Sequence, residues 1–451
     1  MIETGSAPAA LLVDLYELTM LDAYRRHGMT DRSATFSLFV RSLPEQRNLL
    51  VAAGLDDALA WLERLHFGPD ELDALRRSTP LPDETIDWLA DLRFTGTVRA
   101  VPEGTPVFAE EPILEVEAPV AEAQIAESFL LNQITVQTTL ASKAVRCREA
   151  ADGRAVVDFA MRRTHGIDAA MKLGRVARLV GLAGTSNVAA ADRYGLAASG
   201  TMAHSFVQAF EHEVEAFRSF ADTYGESAIL LVDTYDTSQG VERAIEIAHE
   251  MGRDGRTIRG IRLDSGDLAE LARSARRRFD EEELDHLLIF ASGGLDEHAI
   301  ADLVAAGVPI DGFGVGTSLA VSADAPDLES VYKLVAFDGH PVRKTSTGKR
   351  SLPGAKQVWR RRDWSGDVIA LADEGAPSAD HRPLLEPVMV DGRRTAAGSV
   401  TLADAAERFE ASWAEMPAGL RSIDHGEPHP VELSGGLRRL VEELDRRADP
   451  H

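Results

Sequence analysis

Cysteine is almost absent from this chain: Cys147 stands alone among 451 residues, so no disulfide can form within it. That excludes an intrachain disulfide framework and favours a reducing compartment, the alternative being a secreted protein with no bridges. Long apolar runs are missing too. The longest are strand-sized segments such as AILLV at 228–232, far short of the roughly 18 to 20 apolar residues that cross a bilayer. The opening MIETGSAPAALLVDLYEL has no basic start ahead of an apolar core, and Asp14 and Glu17 interrupt it, so it does not read as a signal peptide. A soluble, cytoplasmic protein with no membrane partner is expected. Positive charge is scarce, since 48 Lys and Arg against 73 Asp and Glu leave a net charge of -25. Such a field repels duplex nucleic acid and anionic lipid, which excludes general binding to either and makes a locally basic stretch informative. With 44% apolar and 27% charged residues the composition is otherwise that of a folded globular protein. The length suits two or three average domains, or one barrel with additions.

What is present has two rhythms. From Leu11 to His27 apolar residues recur at helical spacing (Leu11, Leu15, Leu18, Leu21, Tyr24), with Gly28 as a C-terminal stop. SATFSLFV then reads as a strand, helical segments fill about 48–92, and the glycine- and proline-punctuated stretch FTGTVRAVPEGTPVFAEEPILEVEAP reads as β-rich. Residues 121–149 contain neither glycine nor proline and read as one long helix. After Gly153 short apolar runs alternate with helical patterns: AVVDF, then AILLVD from 228, IRGIRLD from 258, LLIFASGG from 287 and IDGFGVGTS from 310, the last four spaced by 30, 29 and 23 residues. Repeated βα units of this length imply parallel strands with crossover helices, either doubly wound or closed. The class is α/β, and an irregular (β/α) barrel over 151–340 is the favoured form. A mixed α/β domain over 1–150 would be completed by the C-terminal segment from about 340 to 451. In a barrel, the residues that follow each strand gather on one rim and form the site.

Those strand ends are rich in chemistry. Asp158, Phe159 and Arg162 follow the first, Asp233 and Asp236 follow AILLV, and Arg262, Asp264, Ser265, Gly266 and Asp267 follow IRGI. The aspartates of RLDSGD suit helix caps, and equally suit a ribose diol with a magnesium-bound polyphosphate. Ser292, Gly293, Gly294 and then Gly312, Gly314, Gly316, Thr317 form glycine-bearing turns. They either cradle a phosphate with backbone amides or are plain tight turns. Between His340 and Arg362 lie Arg343, Lys344, Lys349, Arg350, Lys356, Arg360, Arg361 and Arg362 with no Asp or Glu. That run is read as an anion trap for the phosphates of a small substrate, the alternative being a solvated surface. His204, in GTMAHSF before a helix, suits chemistry or a structural hydrogen bond. Cys147 reads as a packed thiol.

Taken in order, VDLYELTM (13–20), VVDFAMRRTHG (156–166), GLAGTSN (181–187), GTMAHSF (200–206), LVDTYDT (231–237), GIRLDSGDL (260–268), FGVGTSL (313–319) and VYKLVAFDGHPVRKTS (331–346) resemble nicotinate phosphoribosyltransferase. The resemblance implies a type II phosphoribosyltransferase-like barrel joined to a mixed α/β domain, and active sites at a homodimer interface. It implies synthesis of nicotinate mononucleotide from nicotinate and phosphoribosyl pyrophosphate in NAD salvage, with ATP hydrolysis acting through a phosphohistidine and with Mg²⁺. This is a reaction of the ligase class. Carried over, His204 becomes the phosphorylated residue, while Phe159 and Arg162 contact the pyridine and Tyr16 reaches in from the other subunit. Arg262 and Asp264 hold the ribose and its pyrophosphate, Asp264 also serving as the metal ligand. Ser292, Gly293, Gly294, Gly314, Gly316 and Thr317 hold the 5′-phosphate. Ser186 stands where the similar nicotinamide enzymes carry an aspartate, and its hydroxyl would donate to the carboxylate of nicotinate, the alternative being a cap for the next helix. Two other readings stay open: a nicotinamide or quinolinate phosphoribosyltransferase of the same fold, and a regulator that kept the pocket and lost turnover.

Overall fold

The computed structural model of the chain describes residues 9–346 and 350–448. They form two compact units, one made of the residues up to Ser142 together with those from Asp327 onward, the other running Lys143–Pro326.

The first unit is built on a seven-stranded antiparallel sheet in the order His340–Pro341, Ser330–Phe337, Ser33–Val40, Pro112–Pro119, Thr97–Ala100, Glu386–Val390, Arg393–Arg394. Strand Ser33–Val40 is buried on both faces, which accounts for the near-continuous apolar run of SATFSLFV. The C-terminal segment returns to pair at two places, Ser330–Phe337 against Ser33–Val40 and Glu386–Val390 against Thr97–Ala100. The amphipathic N-terminal helix spans Leu15–Arg26, and Gly28 follows it at φ +63, the left-handed stop that glycine tolerates.

The single helix expected over 121–149 is two, Val120–Ile125 and Glu127–Ala150. Its ladder breaks where the Ser128 N–H donates to Glu17 Oε1 at 2.8 Å instead of to the carbonyl four residues back. Burial pushes the Glu17 carboxyl up to about 7, although its bonds from Ser128 pull the other way.

Four of the eight basic residues of 343–362 are paired within this unit, which corrects the reading of those four as an anion trap. Buried Lys356 pairs with Glu115 at 3.0 Å, Arg343 with Asp445 at 3.2 Å, and Arg361 with Asp363 at 3.0 Å. Arg360, with no exposed side chain, binds both oxygens of Asp367 and the carbonyl of Pro106, between the rings of Phe108 and Trp364. Its acidic partners lie outside the run, so sequence proximity hid them. Lys349 lies outside the described residues. Lys344, Arg350 and Arg362 remain without a side-chain acid partner among the described residues.

Glu111 sits against this pair, accepting from the Phe108 N–H at 2.8 Å. Burial holds its carboxyl well above the usual range, reinforced by the charge of Asp367, so the proton resides on Glu111 and the charge on Asp367. The folded state therefore keeps a proton that the unfolded chain releases near pH 4.3. Stability from this group is full below that pH and falls as pH rises toward the folded value, by up to about 1.4 kcal/mol per pH unit in that window. Glu111→Gln, neutral at every pH, is expected to melt higher relative to wild type at pH 8 than at pH 5. Parallel melting curves at the two pH values would contradict this.

The second unit holds a six-stranded sheet, all parallel, in the order Gly184–Thr185, Ala155–Asp158, Gly312–Val315, Leu288–Ala291, Gly260–Leu263, Ile229–Leu231. This is the cyclic chain order of a barrel, since Ala155–Asp158 pairs with Gly312–Val315, the first strand of the ladder with its last. The ring is open at one place. Gly184–Thr185 and Ile229–Leu231 are the edges, with Thr185 bridged to Ala198 and helices Val188–Tyr194, His204–Gln208 and Glu213–Tyr224 lying in the chain between them. A curled, partly closed parallel sheet results. Lys143 and Arg146 hold buried Glu297, with Asp324 3.0 Å from the same lysine. Cys147 packs beside them, its thiol pushed up to about 12 by burial, as an inert core residue.

Candidate active site

The carboxyl ends of the parallel strands carry one connected cluster. After Ile229–Leu231 comes Asp233, whose Oδ2 accepts from the backbone N–H of Asp264 at 3.2 Å and from the Ser265 hydroxyl. After Gly260–Leu263 comes Asp264, whose Oδ1 accepts from the buried Ser292 hydroxyl at the end of Leu288–Ala291. Three consecutive strand ends are thus tied through two carboxylates. The turn at Ser292 needs glycine, because Gly293 adopts φ +89 and a Cβ there would sit 1.8 Å from the carbonyl oxygen of Asp264. Gly294 follows at φ +67 with open space around it.

His204 opens the short helix His204–Gln208. Its Nδ1 lies 3.1 Å from the Thr234 hydroxyl, and its Nε2 lies 4.0 Å from Asp264 Oδ2. Both side chains are part-exposed, 41% for the histidine and 37% for the aspartate. Arg262 ties the histidine's loop to the same strand, Nη1 donating to Thr201 Oγ1 at 2.7 Å and Nη2 to the Met202 carbonyl at 3.2 Å. Burial pulls its guanidinium below the usual value, with Asp264 and Asp233 opposing. Two polar atoms here are buried with no hydrogen-bond partner among the described residues: Asp233 Oδ1, an acceptor, and Arg262 Nε, a donor. A site built to hold a charged ligand leaves such groups waiting.

The strand Ala155–Asp158 supplies a second part. Buried Asp158 accepts from Thr185 Oγ1 and the Ala160 N–H, both at 2.7 Å, and so joins the first strand end to the turn carrying Ser186. Burial raises its carboxyl, with those two bonds opposing. Phe159 lies 5.8 Å from Phe290 between ring centroids, and the Arg262 guanidinium stands 6.0 Å from its ring. Arg162 is exposed on the turn Met161–Arg163.

Gly314 is not at a turn: it is buried within its strand, where a Cβ would meet the Phe159 ring at 2.4 Å, and Gly312 likewise clears Phe290. Aromatic packing accounts for both, correcting the reading of Gly314 as part of a phosphate turn. Gly316 and Thr317 do follow the strand. The cap of helix Val188–Tyr194 is Asn187, accepting from the Ala190 N–H at 3.2 Å, which leaves the Ser186 hydroxyl without a partner among the described residues. Asp267 and Asp236 are caps of Leu268–Glu281 and Thr237–Arg253. Tyr16 belongs to the first unit, where burial and the charge of Glu127 raise its phenol.

Two family models match the chain, one described as the nicotinate phosphoribosyltransferase (NAPRTase) N-terminal domain over residues 11–135, the other as the nicotinate phosphoribosyltransferase (NAPRTase) family over 154–360. Nicotinate phosphoribosyltransferase pncB2 of Mycobacterium tuberculosis is 48% identical over 441 residues, covering 97% of this chain and 93% of that protein. The chain belongs to the nicotinate phosphoribosyltransferase family. Nicotinate phosphoribosyltransferase of Bacillus subtilis is 41% identical over 391 residues, covering 84% of this chain and 79% of that one. Among solved structures, human nicotinic acid phosphoribosyltransferase superposes with a TM-score of 0.83 at 26% identity, covering 96% of this chain and 100% of that one. No helix among the described residues is long and apolar enough to cross a membrane.

Within this nicotinate phosphoribosyltransferase family member, two residues of the cluster escape sequence reasoning. Thr234 contacts His204, yet a threonine in LVDTYDT carries no charge to single it out; only its place just past a strand marks it. Thr201 anchors Arg262 from a loop with no periodicity to read.

Proposed function

We propose that the chain transfers the phosphoribosyl group of phosphoribosyl pyrophosphate to the ring nitrogen of nicotinate, in NAD salvage, with ATP hydrolysis coupled through a phosphohistidine at His204. The observation that carries this reading is the gathering of His204, at the start of its helix, and Arg262 beside Asp264 and Ser292 at the ends of consecutive strands, in a family member whose relatives are named for that reaction. The pyridine nitrogen attacks the anomeric carbon with its own lone pair while the bond to pyrophosphate breaks, so no general base is required. The transition state is oxocarbenium-like. The protein's part is to hold the two reactants in line and to balance the leaving charge. Arg262, with an unpartnered buried Nε, suits the pyrophosphate, and Asp264 suits the ribose hydroxyls. Phe159 and Arg162 suit the pyridine. Ser292, Gly293, Gly294, Gly316 and Thr317 suit the 5′-phosphate.

No group of three or more metal-ligating side chains occurs among the described residues, which disfavours an all-protein metal cage. Mg²⁺ instead takes one or two carboxylates plus substrate phosphate. Asp264 and the unpartnered Asp233 Oδ1 fit that donor set. Bound there, Mg²⁺ would offset the negative charge of the departing pyrophosphate. The finer architecture we propose is an irregular type II phosphoribosyltransferase-like barrel, with the cyclic strand order as its support. We further propose a cytoplasmic homodimer in which Tyr16 of the partner subunit reaches the pyridine. Leu12, Leu15 and Tyr16 expose apolar surface together at the start of the N-terminal helix, as such an interface requires.

Nicotinate rather than nicotinamide is the base because Ser186 offers a free hydroxyl donor where a carboxylate would repel the acid. A charge-assisted hydrogen bond contributes about 1.5 to 3 kcal/mol, or roughly ten- to hundredfold in selectivity. Ser186→Asp should lower kcat/KM for nicotinate by about that factor and move preference toward the amide. An unchanged ratio of the two bases would remove Ser186 from the pocket. The reaction itself is checked by pyrophosphate release from nicotinate and phosphoribosyl pyrophosphate, with and without ATP. Release stimulated by ATP is expected, and no release under either condition would favour the regulator reading.

A further inference from the structure

We propose that Asp158 is a positioning residue for the choice of base: through the Thr185 hydroxyl it holds the turn that carries Ser186, so that the Ser186 hydroxyl stands where the carboxylate of nicotinate is read. The inference deepens the reading of Ser186 as the residue that prefers the acid, and rests on it.

Asp158 closes strand Ala155–Asp158 and is buried, and Thr185, its register partner on the edge strand Gly184–Thr185, is buried as well. Three hydrogen bonds join the two segments around Ser186. The Thr185 hydroxyl donates to Asp158 Oδ2 at 2.7 Å, the Ser186 N–H donates to the Asp158 carbonyl at 2.7 Å, and the Asn187 N–H donates to Thr185 Oγ1 at 3.0 Å. A backbone N–H can only donate, and a hydroxyl has one hydrogen. The donors therefore run one way, from Asn187 through Thr185 to the carboxylate. The other carboxylate oxygen is engaged too, accepting from the Ala160 N–H at 2.7 Å. The Ala160 carbonyl in turn accepts from the Arg163 N–H at 2.7 Å and closes the turn Met161–Arg163, which carries Arg162. One buried carboxylate thus fixes both turns assigned to the pyridine.

The Ser186 hydroxyl makes no hydrogen bond of its own among the described residues, so its aim comes from the backbone that bears it. That backbone is held on either side by buried neighbours. Thr185 bonds through its N–H to the Ala197 carbonyl and through its carbonyl to the Ser199 N–H, and Asn187 caps helix Val188–Tyr194. The edge strand is only two residues long, so the side-chain tie from Thr185 to Asp158 does what a longer ladder would do elsewhere. A hydrogen bond weakens steeply when it is misaligned. A displaced Ser186 therefore keeps its hydroxyl and loses its preference, at the expense of nicotinate more than of nicotinamide.

The test is the ratio of kcat/KM for nicotinate to that for nicotinamide, measured with phosphoribosyl pyrophosphate, ATP and MgCl₂. The variants are Asp158→Ala, Thr185→Val, Thr185→Ser, Ser186→Ala and the double variant Thr185→Val with Ser186→Ala. Both bases meet the same enzyme molecules, so a variant that merely folds in lower yield leaves the ratio unchanged. Asp158→Ala, and Thr185→Val, which is close in shape but lacks the hydroxyl, are each expected to lower the ratio about three- to tenfold, the size of one hydrogen bond, chiefly through KM for nicotinate. Thr185→Ser, which keeps the hydroxyl, is expected to hold the wild-type ratio. The double variant is expected to match Ser186→Ala, because a residue that acts through Ser186 has nothing left to place once that hydroxyl is gone. A wild-type ratio in Thr185→Val, a ratio in Thr185→Ser as low as in Thr185→Val, or a further fall in the double variant overturns the proposal. A wild-type ratio in Ser186→Ala overturns the reading of Ser186 itself, and this inference with it.

Discussion

Asp264→Asn is expected to lower the rate of pyrophosphate release from nicotinate and phosphoribosyl pyrophosphate by about a hundredfold or more, the size typical of losing one preorganised electrostatic contact in a transition state. The substitution is a clean one. Asparagine keeps an oxygen to accept from the Ser292 hydroxyl, so the tie between the strands ending at Leu263 and Ala291 survives. What changes is the second oxygen, which faces His204 Nε2 and becomes an NH₂ without charge. Loss of that charge removes the ribose or metal contact while sparing the turn, so thermal unfolding should match wild type while turnover falls. A variant of near-normal kcat with unchanged KM for phosphoribosyl pyrophosphate would make Asp264 a loop-positioning residue only.

His204→Ala is expected to abolish stimulation by ATP altogether. Imidazole is a competent nucleophile near neutral pH, and this ring has one nitrogen engaged by Thr234 and the other open beside Asp264. Alanine removes the only atoms on which a phosphoryl group would rest at that position, and with 41% of the histidine side chain exposed the fold loses little. The measurement is acid-labile phosphate on the protein after incubation with ATP, taken beside the ATP dependence of pyrophosphate release. Label that persists in the variant, or ATP stimulation that survives it, would assign the coupling to another residue.

The rhythm of the second unit was legible because parallel strands buried on both faces read as apolar runs. Those starting near 228, 258, 287 and 310 contain Ile229–Leu231, Gly260–Leu263, Leu288–Ala291 and Gly312–Val315. Strand ends follow from strands, so Asp264, Ser292 and Arg262 could be named in advance. Where the reading failed, the cause was tertiary. Glu115 and Asp367 neutralise Lys356 and Arg360 of the basic run from positions that no local window includes. Gly314 looked like a phosphate turn because the ring it makes room for, Phe159, comes from a strand far earlier in the chain. The helix break near Ala126 depends on Glu17, a carboxylate from another helix that takes one amide out of the ladder. Thr234 was passed over because a neutral hydroxyl gains meaning only from what stands opposite it.

Selectivity among pyridine bases bears most directly on the proposed activity. The measurement is kcat/KM for nicotinate, nicotinamide and quinolinate with phosphoribosyl pyrophosphate, ATP and MgCl₂, followed as mononucleotide formed. Nicotinate is expected to exceed nicotinamide by about tenfold or more, the contribution of a charge-assisted hydrogen bond from the unpartnered Ser186 hydroxyl, with quinolinate inactive. A preference for either of the other two bases, or no mononucleotide from any of them, would contradict it.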